Sequence, residues 1–559
     1  MRIVFRTENN RCPDCNKTLK AHRTETRHII SIDNGIFTAV HRIRKCRKCG
    51  RLFRSESLDR MIEPYCTYAN DIMIDVAMKR FIDGRSCGEI SRESSYGISE
   101  RQARNLSNMA LEIMGKIHDE SFSLLRNALK SYILQIDGTV DGDFAMIVVV
   151  RDSVSGFVLH SEKCFSESEQ SITGILNRIK ERFGIPSGTI SDMRAGILSA
   201  VRKVFPGIPV RICLMHFLRD LGKDIMGSMH TDLGIMINRM GIKSRIKAIL
   251  RSIPEYDRKS LYELESGFCS DRGRMEMMCM RRVLEPLMVA GSSGYGFPFS
   301  LKHFNFYNAC VHAKRELDDL HTVVKDSDSQ GILEELSDLI SKVAGNSAIL
   351  DLASRIGNVN ATFQGLRKAF HLPEKGKLSG DNGGDEISHE SCGIFMGQLK
   401  ALLRSGASIH ETDAAMQIIE AYEKWEKHLF AQNKEGTIPR TNNSMEQFFR
   451  RIRRNVRKRT GNIATGRLLS LNGDRLAIFQ NLGIPDYKKL VFGSASVASK
   501  FASYRKGLQK NAMPRKRMLE LVDMGKKRLI SGTLRNDPFS DEMMEEASAE
   551  RKAELASGT

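Results

Sequence analysis

Three acidic residues stand in segments that suit phosphodiester chemistry. Asp137 ends the apolar run Ile-Leu-Gln-Ile-Asp, Asp192 follows a second short apolar run, and Glu446 closes Thr-Asn-Asn-Ser-Met-Glu. Carboxylate oxygens are the ligands that Mg²⁺ and Mn²⁺ prefer. Two such ions roughly 4 Å apart across a phosphate can support its in-line cleavage without a covalent intermediate. The three segments therefore raise the hypothesis of a two-metal site.

Each of these acids also has a purely structural interpretation. Asp192 suits a helix N-cap, Asn443-x-x-Glu446 matches a capping box, and Asp137 could simply end a strand before a glycine. Other acids compete for the same roles; they are Asp141, Asp143 and Asp152 near Asp137, and Asp220 and Asp224 for the later positions.

The segments between the first two acids predict the elements that must position them. Runs rich in Val, Ile and Phe, separated by Gly, Asp and Ser, predict strands, and apolar residues at helical spacing predict helices. The predicted order is three strands, helix, strand, helix, strand, at residues 132–137, 144–150, 156–165, 168–183, 188–191, 193–205 and 208–213. This is the ribonuclease H-like order, and it places acids at the ends of the first and fourth strands.

The motifs together resemble a known family. Asp137-Gly-Thr, Asp192-Met-Arg-Ala-Gly-Ile, Cys213-Leu-Met-His216 and the segment with Glu446 resemble the catalytic core of DDE transposases from bacterial or archaeal insertion sequences, closest to the Mutator-like group.

The resemblance implies an α/β fold with a ribonuclease H-like core, in two parts at residues 130–216 and 438–485, interrupted by an all-α insertion at 217–437. It also implies catalysis by Asp137, Asp192 and Glu446 with Mg²⁺ or Mn²⁺. Asp137 would bridge two ions, and Asp192 and Glu446 would hold one each. Cys213 and His216 would support the active site rather than bind a metal.

Four cysteines predict a second metal site. Cys12-Pro-Asp-Cys15 and Cys46-Arg-Lys-Cys49 are two Cys-x-x-Cys knuckles, whose four thiolates suit one structural Zn²⁺. The residues after each second cysteine, Asn16 and Gly50, tolerate the left-handed backbone that a knuckle needs. Asp33-Asn34-Gly35 between the knuckles predicts a hairpin. We therefore expect a zinc ribbon over residues 1–60; the alternatives are four unrelated buried cysteines or a redox pair.

Residues 65–118 predict a helix-turn-helix. Two capping-box patterns, Ser86 to Glu89 and Ser99 to Gln102, open helices after glycine-bearing turns. On the last helix, Arg101, Arg104 and Asn105 lie opposite the apolar face, and such side chains suit base edges in a major groove. The alternative is a plain three-helix module with a solvated polar face.

A second basic surface is predicted on the helix that carries Glu446. Its apolar face is distinct from the stripe formed by Arg450, Arg453 and Arg457. Residues 486–559 are predicted as a helical and acidic tail, solvated at its end.

Composition supports a nucleic-acid partner. The net charge is +19 with a pI near 9.4, which favours a polyanion. The longest apolar run, residues 144–150, is too short to cross a bilayer, and the first residues lack a signal-peptide core, so we expect no membrane association and a cytoplasmic, nucleoid-associated protein.

We accordingly expect a transposase that binds DNA, both terminal inverted repeats and target DNA, as a homodimer or higher oligomer. Two alternatives stay open: a transposase-derived DNA-binding regulator without catalysis, and a ribonuclease H-like nuclease.

Overall fold

The computed structural model describes residues 1–139, 146–164, 168–255, 262–263, 265–267, 271–290, 296–372, 385–405, 409–461, 465–494 and 496–511. Within these ranges the chain forms two compact units. One comprises residues 1–124, 455–461 and 478–511, and the other comprises residues 125–454 and 465–477. The domain boundaries predicted from the sequence are placed at motifs, whereas the two units are defined by contacts between residues. The predicted boundaries therefore stay predictions.

The first unit begins with a small sheet that carries the cysteines. Its strands are β1 (Arg2–Arg6), β2 (Lys20–Ser31), β3 (Gly35–Lys45) and β4 (Leu52–Phe53). β3 pairs in parallel with β1 and antiparallel with β2 and β4. The predicted hairpin is confirmed: Ser31 pairs with Gly35, and Gly35 has the positive φ of 64° that glycine adopts at little cost. Phe5, Ile29 and Phe37 form the core beneath this sheet.

Helices complete the first unit. They are α1 (Glu56–Met61), α2 (Asn70–Phe81), α3 (Cys87–Glu93) and α4 (Glu100–Glu120), followed near the end of the described chain by α18 (Pro485–Phe492) and α19 (Val497–Asn511). At α3 both hydrogen bonds of the predicted capping box are present. At α4 the Ser99 side chain accepts from Gln102 N, so the N-cap is present.

The C-terminal helices are part of the core of the first unit. The Tyr487 hydroxyl lies 2.8 Å from His118 Nδ1, and Arg505 donates to Asn70 Oδ1 at 2.6 Å. All four side chains are buried. The sequence alone predicts residues 486–559 as a tail, whereas the structure packs 497–511 against the N-terminal helices; the acidic end at 537–559 lies outside the described residues.

The second unit contains a mixed five-stranded sheet in the order β7-β6-β5-β8-β9. The strands are β5 (Ile133–Thr139), β6 (Met146–Asp152), β7 (Val158–Cys164), β8 (Gly188–Ser191) and β9 (Val210–Ile212), with α6 (Glu169–Phe183) and α7 (Ala195–Val204) between the later ones. β5, β6 and β7 are antiparallel, and β5, β8 and β9 are parallel. The element order agrees with the sequence prediction.

Helices make up the described remainder of the second unit. They are α5 (Phe122–Ala128), which begins at the boundary, α8 (Leu214–Arg239), α9 (Ile242–Ser252), α10 (Arg272–Val289), α11 (Lys302–Val323), α12 (Ser327–Ala344), α13 (Ser347–Ala369), α14 (Asp385–Leu402), α15 (Ile409–Leu429), α16 (Asn443–Thr460) and α17 (Gly466–Phe479). α16 contributes its last residues, from Asn455, to the first unit. The described part of residues 217–437 is mostly helical, and the insertion domain itself stays a prediction.

Candidate active site

The first predicted carboxylate, Asp137, lies on the central strand. β5 continues past Asp137 to Thr139, so Asp137 does not end the strand as its sequence suggests. The Asp137 side chain is half-buried, and its Oδ1 accepts from Gly138 N at 2.8 Å. Burial, together with the negative charges of Asp192 and Glu446, raises the pKa of Asp137 to about 7, although the Gly138 hydrogen bond and the Arg194 charge oppose the shift. The Asp137 carboxyl is therefore close enough to the other two predicted carboxylates to be affected by their charges.

The second carboxylate, Asp192, directly follows β8, which is the parallel neighbour of β5. Asp192 is 6% exposed, and its Oδ2 lies 3.1 Å from Arg194 Nε. Burial raises the pKa of Asp192 to about 6. The N-cap of α7 is Arg194, so the interpretation of Asp192 as the N-cap is wrong, although its Oδ1 accepts from Arg194 N at 3.3 Å.

The third carboxylate, Glu446, lies in the first turn of α16. Its Oε1 is 3.4 Å from Arg219 Nη2 and 3.7 Å from His216 Nε2, both on α8. The backbone N–H groups of Met445 and Glu446 donate to Asn442 O. In the described structure the Glu446 carboxylate thus faces α8. These contacts do not support the capping-box interpretation.

Hydrogen bonds tie the segment before Glu446 to the central strand. Gln135 on β5 and Ser444 exchange side-chain hydrogen bonds of 3.0 and 3.1 Å, and Arg151 on β6 donates to Ser444 O at 3.1 Å. Asn442 Nδ2 lies 3.5 Å from Asp137 Oδ2, at the limit of a hydrogen bond. A segment far along the chain is therefore attached beside Asp137.

Cys213 and His216 lie where these elements meet. Cys213 is buried, and its Sγ accepts from Asn442 N at 3.1 Å. Leu214 N donates to Arg440 O at 3.0 Å, so the start of α8 makes a second hydrogen bond to the segment that precedes Glu446. Burial lowers the pKa of His216, with a contribution from the Arg219 charge, which keeps the imidazole neutral near pH 7. These contacts agree with a supporting role for both residues.

Two buried polar atoms in this region have no hydrogen-bond partner among the residues that the structure describes. They are Asn442 Oδ1 and His216 Nδ1, and Asn442 is 0% exposed. A buried carbonyl without a partner costs roughly 1–3 kcal/mol. Sequence reasoning missed Asn442, and the only signal available was its place in the Asn-Asn pair of the motif.

The competing acids have other surroundings. Asp152 is buried and accepts from Ile133 N, Val154 N and both the N–H and hydroxyl of Ser155, so it fixes a turn. Asp220 is half-exposed, but its negative charge reaches Asp192 and His216. Asp224 is exposed on α8. Asp141 and Asp143 lie outside the described residues.

The four cysteines come together as predicted. The four Sγ atoms of Cys12, Cys15, Cys46 and Cys49 lie within 4.8 Å of one another, the tightest pairs at 3.4 and 3.6 Å. A tetrahedral Zn²⁺ with Zn–S bonds of about 2.3 Å places its sulfurs about 3.8 Å apart. The cluster therefore fits zinc. Among the described residues this is the one group of three or more metal-binding side chains at such spacing; the carboxylates Asp137, Asp192 and Glu446 are not so close.

The two knuckles have matching backbones. Asn16 and Gly50 have positive φ values of 51° and 72°, as their residue types predict. Asn16 N donates to Cys12 O, and Gly50 N donates to Cys46 O. Hydrogen bonds from the backbone N–H of Cys49 and from neighbouring thiols lower the pKa of Cys46 to about 6, whereas hydrogen bonds with the other cysteines raise the pKa of Cys15 and Cys49.

The predicted DNA-contacting side chains occupy solvent-facing positions. On α4, Arg101, Arg104 and Asn105 are exposed, while Leu106 is buried in the core. On α16, Arg450 and Arg457 are exposed and Arg453 is half-buried.

No helix in the described ranges is both long enough and apolar enough to cross a membrane.

Comparison with known proteins gives little further guidance. No protein-family model matches the chain, and no curated protein matches it. Among solved structures, the chain is similar to one in the Drosophila P element transposase strand transfer complex, at 10% sequence identity and a TM-score of 0.30, over 75% of this chain and 92% of that one. That neighbour is a transposase, but a likeness this weak carries no argument about the present chain.

Proposed function

We propose that this chain is a DNA transposase that cuts and joins DNA strands with Asp137, Asp192 and Glu446. One observation carries the proposal: the segment that bears Glu446 is hydrogen-bonded to β5 beside Asp137. Strand β5 pairs with β8, and Asp192 directly follows β8. Distant parts of the sequence thus bring three carboxylates into one electrostatic environment. In this proposal the five-stranded sheet is a ribonuclease H-like core of the Mutator-like type.

The residues present fit a hard divalent cation. Asp137 and Asp192 have raised pKa values because of burial first and then of nearby negative charges, those of Asp192 and Glu446 for Asp137 and that of Asp220 for Asp192, and a cation would relieve both effects. Asn442, whose Nδ2 lies 3.5 Å from Asp137 Oδ2, also carries a hard oxygen, Oδ1, that has no hydrogen-bond partner among the described residues. When bound there, Mg²⁺ or Mn²⁺ would supply charge stabilisation at the phosphate and activation of the attacking hydroxyl or water.

The neighbouring side chains have positioning roles in this mechanism. Arg219 and His216 orient Glu446 from α8, and Cys213 fixes Asn442 through its sulfur. A neutral His216 can accept or donate a hydrogen bond without adding charge to the carboxylates. In-line transfer depends mainly on such positioning and on charge stabilisation.

The DNA contacts are assigned to two basic surfaces. α4 would act as the recognition helix of a helix-turn-helix, with Arg101, Arg104 and Asn105 reading the terminal inverted repeats. Arg450, Arg453 and Arg457 on α16 would contact phosphates near the cleavage site. The zinc ribbon would assist binding, and two copies of the protein would bring two element ends together.

The substitution Glu446→Gln tests the catalytic assignment. Glutamine keeps the size and hydrogen-bonding capacity of glutamate but not the charge, so we expect folding and repeat binding to persist and strand cleavage to fall at least a hundredfold. The assay is Mn²⁺-dependent cleavage of a labelled duplex that carries the element's terminal repeat, identified from the flanking DNA.

Asp224→Asn is the matched control, because it removes an exposed carboxylate from the nearby helix α8 and should leave cleavage unchanged. Near-normal cutting by the Glu446→Gln protein would refute the triad. Repeat binding by the wild type without any metal-dependent cleavage would instead favour the DNA-binding regulator, and cleavage without preference for the repeats would favour a general nuclease.

A further inference from the structure

A buried ionic network lies beside the segment that carries Glu446. Arg211 on β9 is 1% exposed, and its guanidinium donates to both carboxylate oxygens of Asp385, at 2.7 and 2.6 Å. The same guanidinium donates to Ile438 O at 3.0 Å. Asp385 is the first residue of α14, in the helical part of the second unit. Arg211 therefore connects the sheet, the helical region and the segment that contains Ile438.

Two further side chains complete the network. Gln432 Nε2 donates to Asp385 Oδ2 at 2.6 Å and to Ile438 O at 2.9 Å, and Gln432 Oε1 accepts from Ile438 N at 3.0 Å. Arg440 Nε lies 3.7 Å from Asp385 Oδ1, and Arg440 Nη2 donates to Phe370 O at 2.6 Å. Asp385 thus faces two buried guanidinium groups.

The network acts on a tightly fitted segment. Ile438 packs with Ile133 and Ile190 above β5 and β8. A Cβ added to Gly188 would lie 2.3 Å from Ile438 Cδ1, so there is no spare room between the segment and the sheet. From Ile438 the chain passes through Arg440, held by Leu214 N, and Asn442, held by Cys213 Sγ, before it reaches Glu446.

The charge on Asp385 is maintained in the folded protein. Burial by itself raises the pKa of a carboxyl, but the hydrogen bonds from Arg211 and Gln432 and the charges of Arg211 and Arg440 outweigh it and lower the pKa of Asp385. Without that charge, Arg211 and Arg440 would both lose the buried carboxylate that faces them, which is strongly unfavourable.

We propose that Asp385 is a positioning residue for the active site: through Arg211, Gln432 and Arg440 it fixes residues 438–442 on the sheet and thereby sets the place of Glu446. The helical region that interrupts the sheet is then a structural part of the catalytic centre. The catalytic consequence rests on the proposed function, whereas the positioning itself does not.

The test compares Asp385→Asn with the wild type by hydrogen exchange and by cleavage. We expect the amides of Leu214 and Asn442 to exchange at least tenfold faster in the variant, because the two hydrogen bonds that hold the segment open more often. We also expect cleavage to slow at least tenfold and to need more Mn²⁺ for half-maximal rate.

Glu335→Gln is the control, because Glu335 pairs with Arg245 on the exposed surface of the same helical region, and it should change neither readout. A double variant, Arg211→Met with Asp385→Leu, removes the bidentate pair and leaves Arg440 as the remaining buried charge of the network. It should recover part of the thermal stability lost in Asp385→Asn but keep the fast exchange at Leu214 and Asn442.

Unchanged exchange at these two amides in Asp385→Asn would overturn the proposal. So would an equal acceleration throughout the unit, or a double variant that recovers wild-type exchange and cleavage, because either result would mean that Asp385 serves stability alone. If the wild type cleaves no DNA, the proposed function fails, but the exchange measurement still decides whether Asp385 positions the segment.

Discussion

Replacing Asp137 by asparagine should stabilise the protein when no divalent cation is bound to the carboxylates, although it abolishes strand cleavage. The reason lies in the raised pKa of Asp137, which burial and the nearby acids bring to about 7 from an ordinary 3.8. At neutral pH and above, folding must keep this carboxyl ionised in surroundings that oppose its charge. Asparagine has nearly the same shape and carries no charge.

The sign and size of the effect follow from proton linkage. A carboxyl with a higher pKa in the folded than in the unfolded chain binds more protons when folded between the two values, so the free energy of unfolding falls as pH rises from about 4 to about 7. At 1.36 kcal/mol per pH unit, the step from 3.8 to about 7 corresponds to about 4 kcal/mol. This is an upper value, because the side chain is only half-buried and solvent screens part of the charge.

The protein carries its own probe for the measurement. Trp425 on α15 is the only tryptophan in the sequence and belongs to the second unit, so its fluorescence reports unfolding of the unit that contains Asp137. Urea titrations at pH 5 and pH 8, with zinc retained and no Mg²⁺ or Mn²⁺, should show the wild type losing stability at the higher pH. Asp137→Asn should lose less, with the remainder due to Asp192, whose pKa is raised to about 6.

Asp152→Asn is the matched control on the same sheet. Asp152 accepts hydrogen bonds from Ile133, Val154 and Ser155, so its loss should destabilise the protein by about 1–3 kcal/mol. If Asp137→Asn destabilises to a similar extent at pH 8, the ionised Asp137 carboxylate is not unfavourable for folding, and the reasoning is refuted. Added Mn²⁺ should stabilise the wild type and leave Asp137→Asn nearly unaffected, because a bound cation needs the charge.

Two further predictions concern the first unit. Purified protein should contain about one zinc per chain by elemental analysis, and Cys46→Ser should lose it, whereas Cys87→Ser, outside the cluster, should keep it; retention of zinc by the Cys46 variant would exclude the ribbon site. Arg101→Ala and Arg104→Ala should each weaken binding to the terminal repeats by on the order of 1–3 kcal/mol more than binding to random DNA in a titration at fixed salt, and an equal loss on both DNAs would indicate phosphate contacts only.

Local patterns in the sequence were sufficient to predict the local structure. The knuckle backbones at Asn16 and Gly50, the hairpin at Gly35 and the capping box at Ser86 depend on neighbours a few residues away, and each is present. The strand and helix order around Asp137 was also predictable, because period and residue type decide each element separately.

Contacts between distant segments were not predictable in the same way. The packing of Phe501 and Arg505 into the first unit depends on partners such as Asn70, hundreds of positions earlier, and residues 486–559 alone read as a tail. The capping patterns at Asp192 and Glu446 left two interpretations open for a related reason, since a helix N-terminus and a carboxylate site favour the same residue types. The tertiary contacts, with Arg194 as the N-cap of α7 and Glu446 facing α8, argue against capping, and the catalytic role of both acids stays a prediction.

Two features of the second unit each lower the free energy of unfolding, and both lie near Asp137. The carboxyls of Asp137 and Asp192 have raised pKa values, and Asn442, which contacts Asp137 through Nδ2, has a buried carbonyl oxygen with no partner in the described part of the chain. A residue with only a structural role would be expected to resemble Asp152, whose oxygens are saturated by backbone and hydroxyl donors. Negative charge that folding opposes, next to an unsatisfied hard oxygen, is the arrangement whose energy a divalent cation would lower most. The stability of this region should therefore depend on divalent ions as strongly as its proposed chemistry does.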